Sequence, residues 1–181
     1  MSRRAVFLDR DGVLNEPVIR DRKPYPPVST QEIIIPSDAT DSLMRLKHRG
    51  FLLVVVTNQP DVARGVVSRE TVEAIHAVLS EKLPLDDFFV CYHDDPDRCD
   101  CRKPLPGLLF HAAAKHNIVL GASYLVGDRW RDIDAGASAG CKTILIDYGY
   151  NEQSPRFPPD ASVASLSKAV EWILKQESVS N

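Results

Sequence analysis

The sequence predicts a doubly wound α/β fold, with a mainly parallel sheet and helices on both faces, and three observations predict it. Short runs rich in Val, Ile, Leu and Phe recur at Ala5 to Leu8, Phe51 to Val56, Phe88 to Cys91, Tyr124 to Val126 and Thr143 to Ile146, each of core-strand length. Amphipathic stretches fall between them, and such alternation favours parallel strands covered on both sides. Polar residues follow the runs, at Asp9, at Thr57 and, after Gly127, at Asp128, and sheets of this class bind ligands at the carboxyl ends of their strands.

The helices follow from spacing and caps. Asp38 to Arg49 places Leu43, Leu46 and Lys47 at helical intervals and ends at Gly50, a helix C-cap residue. Ser68 can cap a helix reaching Lys82. Pro106 to His116 and Ile133 to Ala139 supply two more, and a last helix near Leu166 to Lys175 carries Val170, Ile173 and Leu174 on one stripe, a packing face. The stretches from Asp11 to Thr57 and from Thr57 to Lys103 are already committed to such elements. A separate cap domain needs roughly 50 residues of its own, so none is expected, and residues 1–181 are expected to form one domain.

Composition bounds the partners. With 44% hydrophobic and 26% charged residues the composition is ordinary for a soluble enzyme and sets only modest bounds. A formal charge of -3 gives no basic face for a nucleic-acid backbone. Met1-Ser2-Arg3-Arg4 is followed by only four apolar residues before Asp9, too few for a signal peptide, and no run elsewhere could span a bilayer. A cytoplasmic protein is expected, with its four cysteines reduced and their spacing to be read for metal before disulfides.

The chemistry is concentrated in four pieces. Asp9-Arg10-Asp11-Gly12 sets two carboxylates two residues apart after the first strand. One can attack phosphorus while the other moves protons, and together they can meet a hard cation. Thr57-Asn58-Gln59 offers a hydroxyl, side-chain amides and free backbone N–H groups for phosphoryl oxygens, although Thr-Asn after a strand is also an ordinary turn. Lys103, between Arg102 and Pro104, precedes a helix. Gly127-Asp128 ends a strand, with Asp132 and Asp134 beyond it; acidic residues there also serve as helix caps and dipole partners.

A fifth constellation is Cys91-x-His93 and Cys99-x-Cys101. Three thiolates and an imidazole within residues 91–101 suit a structural tetrahedral Zn2+ site closed by local chain. A chance cluster of reduced thiols or a redox pair at Cys99 and Cys101 are the competing readings, and His93 favours metal. Cys141 reads as a small core residue, and His48, His76, His111 and His116 have no partner identifiable from sequence.

In this order the motifs resemble those of the haloacid dehalogenase superfamily of aspartate-dependent phosphatases, from Phe7 to about Ile146. The resemblance implies a Rossmann-like fold, with Asp9 as nucleophile and Asp11 as general acid and base. It implies that Thr57 and Lys103 hold the transferring phosphoryl group. It also implies that Asp9, the backbone carbonyl of Asp11 and Asp128 bind Mg2+, with Asp132 in support. The physics agrees: a carboxylate and a phosphate about 4 Å apart repel by roughly 4 kcal/mol at an effective dielectric near 20, so attack needs compensating positive charge. Oxygen ligands on an open site favour Mg2+.

Within the superfamily the chain is most similar to the small zinc-containing branch, whose members act on heptose bisphosphate and histidinol phosphate. The segments Ala63-Arg64-Gly65 and Cys101-Arg102-Lys103-Pro104 carry that likeness and imply a small phosphorylated sugar substrate in bacterial surface-sugar biosynthesis. Asn58, Gln59, Arg64, Arg102 and Arg129 are the candidate substrate-binding residues; Arg129 and Arg131 can also be read as surface charges on a helix start. Two departures stand out. Pro60-Asp61 replaces the branch's usual Ser-Gly, and the segment Arg20-Asp21-Arg22-Lys23-Pro24-Tyr25-Pro26-Pro27 is longer than the substrate-contacting loop it replaces. Tyr25 there could line the pocket or simply pack.

A phosphoaccepting signalling domain would also combine a sheet, clustered aspartates, Thr and Lys, but needs neither the zinc loop nor a proton-shuttling Asp11. A nucleic-acid-binding zinc module is opposed by Asp94, Asp95, Asp97 and Asp100, which crowd the loop with negative charge. No membrane, nucleic-acid or obligate protein partner is expected.

Overall fold

The computed structural model describes residues 2–20 and 23–179. Six parallel strands form its sheet: β1 (Ala5–Leu8), β4 (Leu52–Asn58), β5 (Asp87–Cys91), β6 (Tyr124–Gly127), β7 (Lys142–Ile146) and β8 (Ala161–Val163), in the spatial order β5-β4-β1-β6-β7-β8. A small antiparallel pair, β2 (Val18–Arg20) and β3 (Lys23–Tyr25), stands apart from it. The order reverses at β1, which lies between β4 and β6. Doubly wound sheets place their ligand crevice at such a switch point.

Alternation along the central strands assigns their two faces. Val6, Leu8, Leu53 and Val55 pack with Leu43 and Leu46 of α1 (Ala39–His48), Ile75 and Leu79 of α2 (Arg69–Lys82), and Val170 and Ile173 of α5 (Leu166–Val179). Ala5, Phe7, Val54 and Val56 face the other way, onto Leu108, Leu109 and Ala112 of α3 (Gly107–His116) and Ala135 and Ala139 of α4 (Trp130–Ala139). Side chains alternate across a strand, so each uniformly apolar run feeds both layers. Each fully buried Leu or Val contributes about 1.5–3 kcal/mol of transfer free energy.

The expected helices are present, with local causes. Ser68 accepts a hydrogen bond from the Thr71 backbone N–H at 3.1 Å and starts α2. Gly50, at φ 80°, follows α1 and donates its N–H to the Lys47 carbonyl. The fourth helix begins at Trp130, earlier than the spacing predicts, because the Asp132 carboxylate accepts from the Arg129 backbone N–H at 3.1 Å and ties down the first turn. Among the described residues no separate cap domain covers the strand ends; the β2-β3 pair is the small insertion there. Among the described residues, no helix is long and apolar enough to cross a membrane.

Candidate active site

The carboxyl ends of β1, β4 and β6 converge on a cleft of about 500 Å³, whose lining includes Asp9, Asp11, Asn58, Lys103, Asp128 and Asp132. Lys103 lies between β5 and α3 and is almost fully buried at 2% exposure. Its Nζ donates to Asp9 Oδ1 at 2.9 Å, to the Val56 carbonyl at 2.7 Å and to Asp132 Oδ1. The backbone of Lys103 is clamped by Asn58, whose Nδ2 donates to the Lys103 carbonyl and whose Oδ1 accepts from the Lys103 N–H, both at 3.0 Å. The strand end of β4 therefore fixes the base of this ammonium. The adjoining Lys103–Pro104 peptide is cis.

Burial would push the Lys103 ammonium down, but the carboxylates of Asp132 and Asp9 more than reverse it and hold its pKa above the ordinary value. Burial pushes Asp9 up to about 6, against the pull of Lys103. Asp128 is raised well above the carboxylate range by burial and by the charges of Asp9 and Asp132, although the Tyr150 hydroxyl donates to it. The Arg129 charge pulls the other way but does not offset them. Among the described residues the buried Asp128 Oδ1 has no hydrogen-bond partner, and carboxylate oxygens of Asp9, Asp128 and Asp132 lie within 4.8 Å of one another. Buried carboxylates are ordinarily paired or bound to a cation, and an all-oxygen set of this kind fits a hard divalent ion.

Gly12 makes that approach possible. It adopts φ 86°, and a Cβ there would fall inside the Asp128 carboxylate. Its carbonyl accepts from the Tyr148 hydroxyl at 3.0 Å, and Tyr148 stacks on Tyr150 at 5.5 Å. The two tyrosines back the Asp128 side of the site from beyond β7. Both follow the end of β7 within a few residues, the kind of placement after an apolar run that also marks Asp9, Thr57 and Asp128.

The Asp11 side chain points into a different set of donors. Arg10 donates to it twice, from Nε at 3.1 Å and Nη2 at 2.9 Å, and Asn15 Nδ2 and Gln59 Nε2 complete the set at 3.1 and 2.9 Å. The acidic cluster of Asp9, Asp128 and Asp132 does not include its carboxylate. Gln59, a candidate for substrate contact, is 1% exposed and also donates to Thr57 Oγ1 at 2.9 Å. Its amide fixes two site residues from below. Arg10, between the two aspartates in sequence and fully buried, has no role that the sequence alone assigns.

The rim is made of loops. Arg64 forks onto Asp94 and reaches Asp61; Arg102 pairs with Asp95 and Asp94; Arg129 pairs with Glu152; Arg131 lies 3.8 Å from Asp95 and packs over the Trp130 ring. Arg129 and Arg131 thus line the cleft, and Tyr25 lines it with Pro24 and Pro26. Asp21 and Arg22 of the long segment lie outside the described residues. Pro60 and Asp61 form part of the same wall.

Beside the rim, Cys91 Sγ lies 3.7 Å from Cys99 Sγ and 3.1 Å from Cys101 Sγ, and His93 Nδ1 lies 3.6 Å from Cys91 and 3.4 Å from Cys101. Tetrahedral Zn–S bonds of about 2.3 Å separate sulfurs by about 3.8 Å, so the four donors fit such a centre with slight expansion. Gly107 admits the start of α3 against this loop, since a Cβ there would strike the Asp100 carbonyl. Asp134, open to a capping reading, instead accepts from the Arg156 and Phe157 N–H groups at 2.8 and 3.2 Å.

Three of the four histidines whose partners the sequence does not identify meet one in the fold. His116 Nε2 lies 2.6 Å from Asp87 Oδ2, His111 lies 4.0 Å from Asp100, and His76 meets Arg10 and stacks on Phe88. Cys141 is a core residue, and burial pushes its thiol up to about 12.

Comparison with known proteins agrees with this geometry. The HAD-hydrolase-like family model matches residues 100–169. The D-glycero-beta-D-manno-heptose-1,7-bisphosphate 7-phosphatase of Pseudomonas aeruginosa is 35% identical over 154 residues, covering 82% of this chain and 84% of that protein. The corresponding phosphatase of Chlorobaculum tepidum is 36% identical over 171 residues, covering 84% and 83%. The crystal structure of the D,D-heptose 1,7-bisphosphate phosphatase from Bordetella bronchiseptica, complexed with magnesium and phosphate, superposes with a TM-score of 0.76 at 30% identity, covering 96% of this chain and 99% of that one. The fold and the aspartate-lysine site define a haloacid dehalogenase-like phosphatase. Within that class the chain belongs to the family of heptose 1,7-bisphosphate 7-phosphatases.

Proposed function

We propose that this chain hydrolyses the 7-phosphate of D-glycero-D-manno-heptose 1,7-bisphosphate in the cytoplasm, as a step of bacterial surface-sugar biosynthesis. The observation that carries the chemistry is Lys103, buried at the cleft floor and donating to both Asp9 and Asp132. It offers one positive charge where a carboxylate must approach a phosphate.

Asp9 attacks phosphorus while Asp11 protonates the departing alkoxide. Asp11 then takes a proton from the water that hydrolyses the aspartyl phosphate. Thr57 Oγ1 accepts from Gln59, which leaves its own proton for a phosphoryl oxygen. Lys103 neutralises charge that accumulates on the transferring group. Asp9, the Asp11 carbonyl oxygen and Asp128 would hold Mg2+, which supplies further positive charge against the phosphate; Asp132 holds Lys103 in place.

The rim suits a second phosphate. Arg64, Arg102, Arg129 and Arg131 face one cleft, and guanidinium groups bind phosphate bidentately. Zn2+ at Cys91, His93, Cys99 and Cys101 would act structurally, ordering the loop that carries Arg102 and Lys103. Chelation should then loosen residues 91–101 to protease and lower activity without Mg2+ restoring it. Normal kinetics and protease resistance in zinc-free protein would reject that coupling.

The deciding experiment is phosphate release from heptose 1,7-bisphosphate, sugar monophosphates and histidinol phosphate, compared by kcat/KM. The bisphosphate should lead. A preference for histidinol phosphate would reject the substrate and leave the phosphatase chemistry standing.

A further inference from the structure

We infer that His76 is a positioning residue for Asp11, acting through the Arg10 guanidinium. The inference rests on the reading of Asp11 as proton donor and acceptor.

Arg10 is 0% exposed, and its Nε and Nη2 grip the two oxygens of Asp11. Its remaining nitrogen, Nη1, lies 3.3 Å from His76 Nε2. A guanidinium can only donate, so Nε2 is the acceptor and the imidazole proton resides on Nδ1. That assignment requires a neutral ring. Burial, followed by the neighbouring Arg10 charge, pushes His76 down to about 4. Among the described residues Nδ1 has no hydrogen-bond partner, and Glu73 Oε2 faces it at 3.8 Å.

The ring is itself fixed. It projects from the middle of α2, is 4% exposed, and stacks on Phe88 of β5 with centroids 4.7 Å apart and planes 27° apart. His76 thus holds the far end of a buried fork whose near end orients the proton-transfer carboxylate. Without that acceptor an Arg10 N–H would stand unpaired in a dry site, and the guanidinium would turn in search of another partner. Asn15 and Gln59 would still bond Asp11, so the carboxylate would stay nearby but be poorly aimed.

Such a role has a signature that general loosening lacks. Protonation matters for an alkoxide leaving group and little for p-nitrophenolate, which departs readily as an anion. The quotient kcat/KM reports attack and departure of the first product only. In His76→Phe, which keeps a ring against Phe88 and removes the acceptor, kcat/KM for the sugar phosphate should fall about 10- to 100-fold, while that for p-nitrophenyl phosphate should change less than about twofold. His76→Gln, which returns an acceptor, should recover most of the loss. Arg10→Lys keeps the buried charge without the fork and should reproduce the split if the Phe variant fails to fold.

Asp11→Asn is the reference. If it shows the leaving-group split and the His76 and Arg10 variants lose both substrates equally, or neither, the positioning role is wrong and Asp11 keeps its own. If Asp11→Asn lowers both substrates in parallel, the reading of Asp11 fails and takes this inference with it.

Discussion

At the floor of the cleft one ammonium serves two buried carboxylates and a carbonyl oxygen, and beside them Asp128 holds an oxygen with no hydrogen-bond partner among the described residues. At the rim Arg64, Arg102, Arg129 and Arg131 face Asp61, Asp94, Asp95 and Glu152 in loops and at the start of α4, where they meet water. The floor is short of positive charge; the rim is balanced. Floor residues stand at or beside strand ends pinned by the core, so their spacing is inherited from the sheet. Rim residues take their positions from one another and from the cysteine-histidine loop. The difference separates two tasks: the floor is preorganised to receive a cation and a phosphoryl group, and the rim must exchange partners when substrate enters.

The sharpest way to break this contrast is at Asp9. Asp9→Asn should abolish turnover and phosphoenzyme formation together, read by phosphate release and by acid-quenched labelling of the protein; full activity would overturn the floor as the reacting centre. Lys103→Met should come next. It leaves Asp9 and Asp132 buried without their shared partner, and breaking a buried ion pair costs about 3–5 kcal/mol. Urea denaturation should show that loss alongside the collapse of kcat. A variant of undiminished stability would mean that Lys103 is not structurally required at the floor.

The missing positive charge predicts a pH dependence of Mg2+ binding. The folded-state pKa of Asp9 is raised from 3.8 to about 6, and Asp128 moves in the same direction. For groups raised on folding, the favourable contribution is complete below the unfolded pKa and is lost as pH rises through the folded one. Metal-free protein should therefore lose stability across this window as the carboxylates ionise, and Mg2+ should restore it. The rise in Tm on adding Mg2+ should be larger at pH about 8 than at pH about 5. An equal shift at both would deny that the floor carboxylates hold the ion.

The same contrast governs what the sequence disclosed. Core strands were legible because uniform apolar runs have one use in a parallel sheet, and Asp9, Thr57 and Asp128 were legible because they follow those runs. The β2-β3 pair and β8 were not. Each of these strands has three residues, too short for a periodic signal, and β3 contains Pro24, which suits only an unpaired edge. Cys91, His93, Cys99 and Cys101 announced themselves because all four donors are local. Arg10 and His76 did not, since their contact spans 66 positions and no local spacing records it. Tyr148 and Tyr150 were hidden likewise, reaching Gly12 and Asp128 from a loop beyond the last motif.

The smallest expected effect belongs to the rim and tests its exchange of partners. A substrate phosphate that reaches Arg129 must displace or share Glu152, which already accepts from the guanidinium Nε at 3.1 Å. The gain is a difference between two charge-assisted interactions of similar kind, and exposed ion pairs are worth about 0–1 kcal/mol. Arg129→Ala should therefore raise KM for the bisphosphate by only about fivefold, with kcat nearly unchanged and Tm shifted little. Glu152→Gln should do the reverse: it frees the guanidinium and should lower KM for the bisphosphate more than for a monophosphate. If Glu152→Gln instead lowers kcat on both substrates alike, the Arg129–Glu152 pair is part of the reacting floor, and the division between floor and rim must be redrawn to include it.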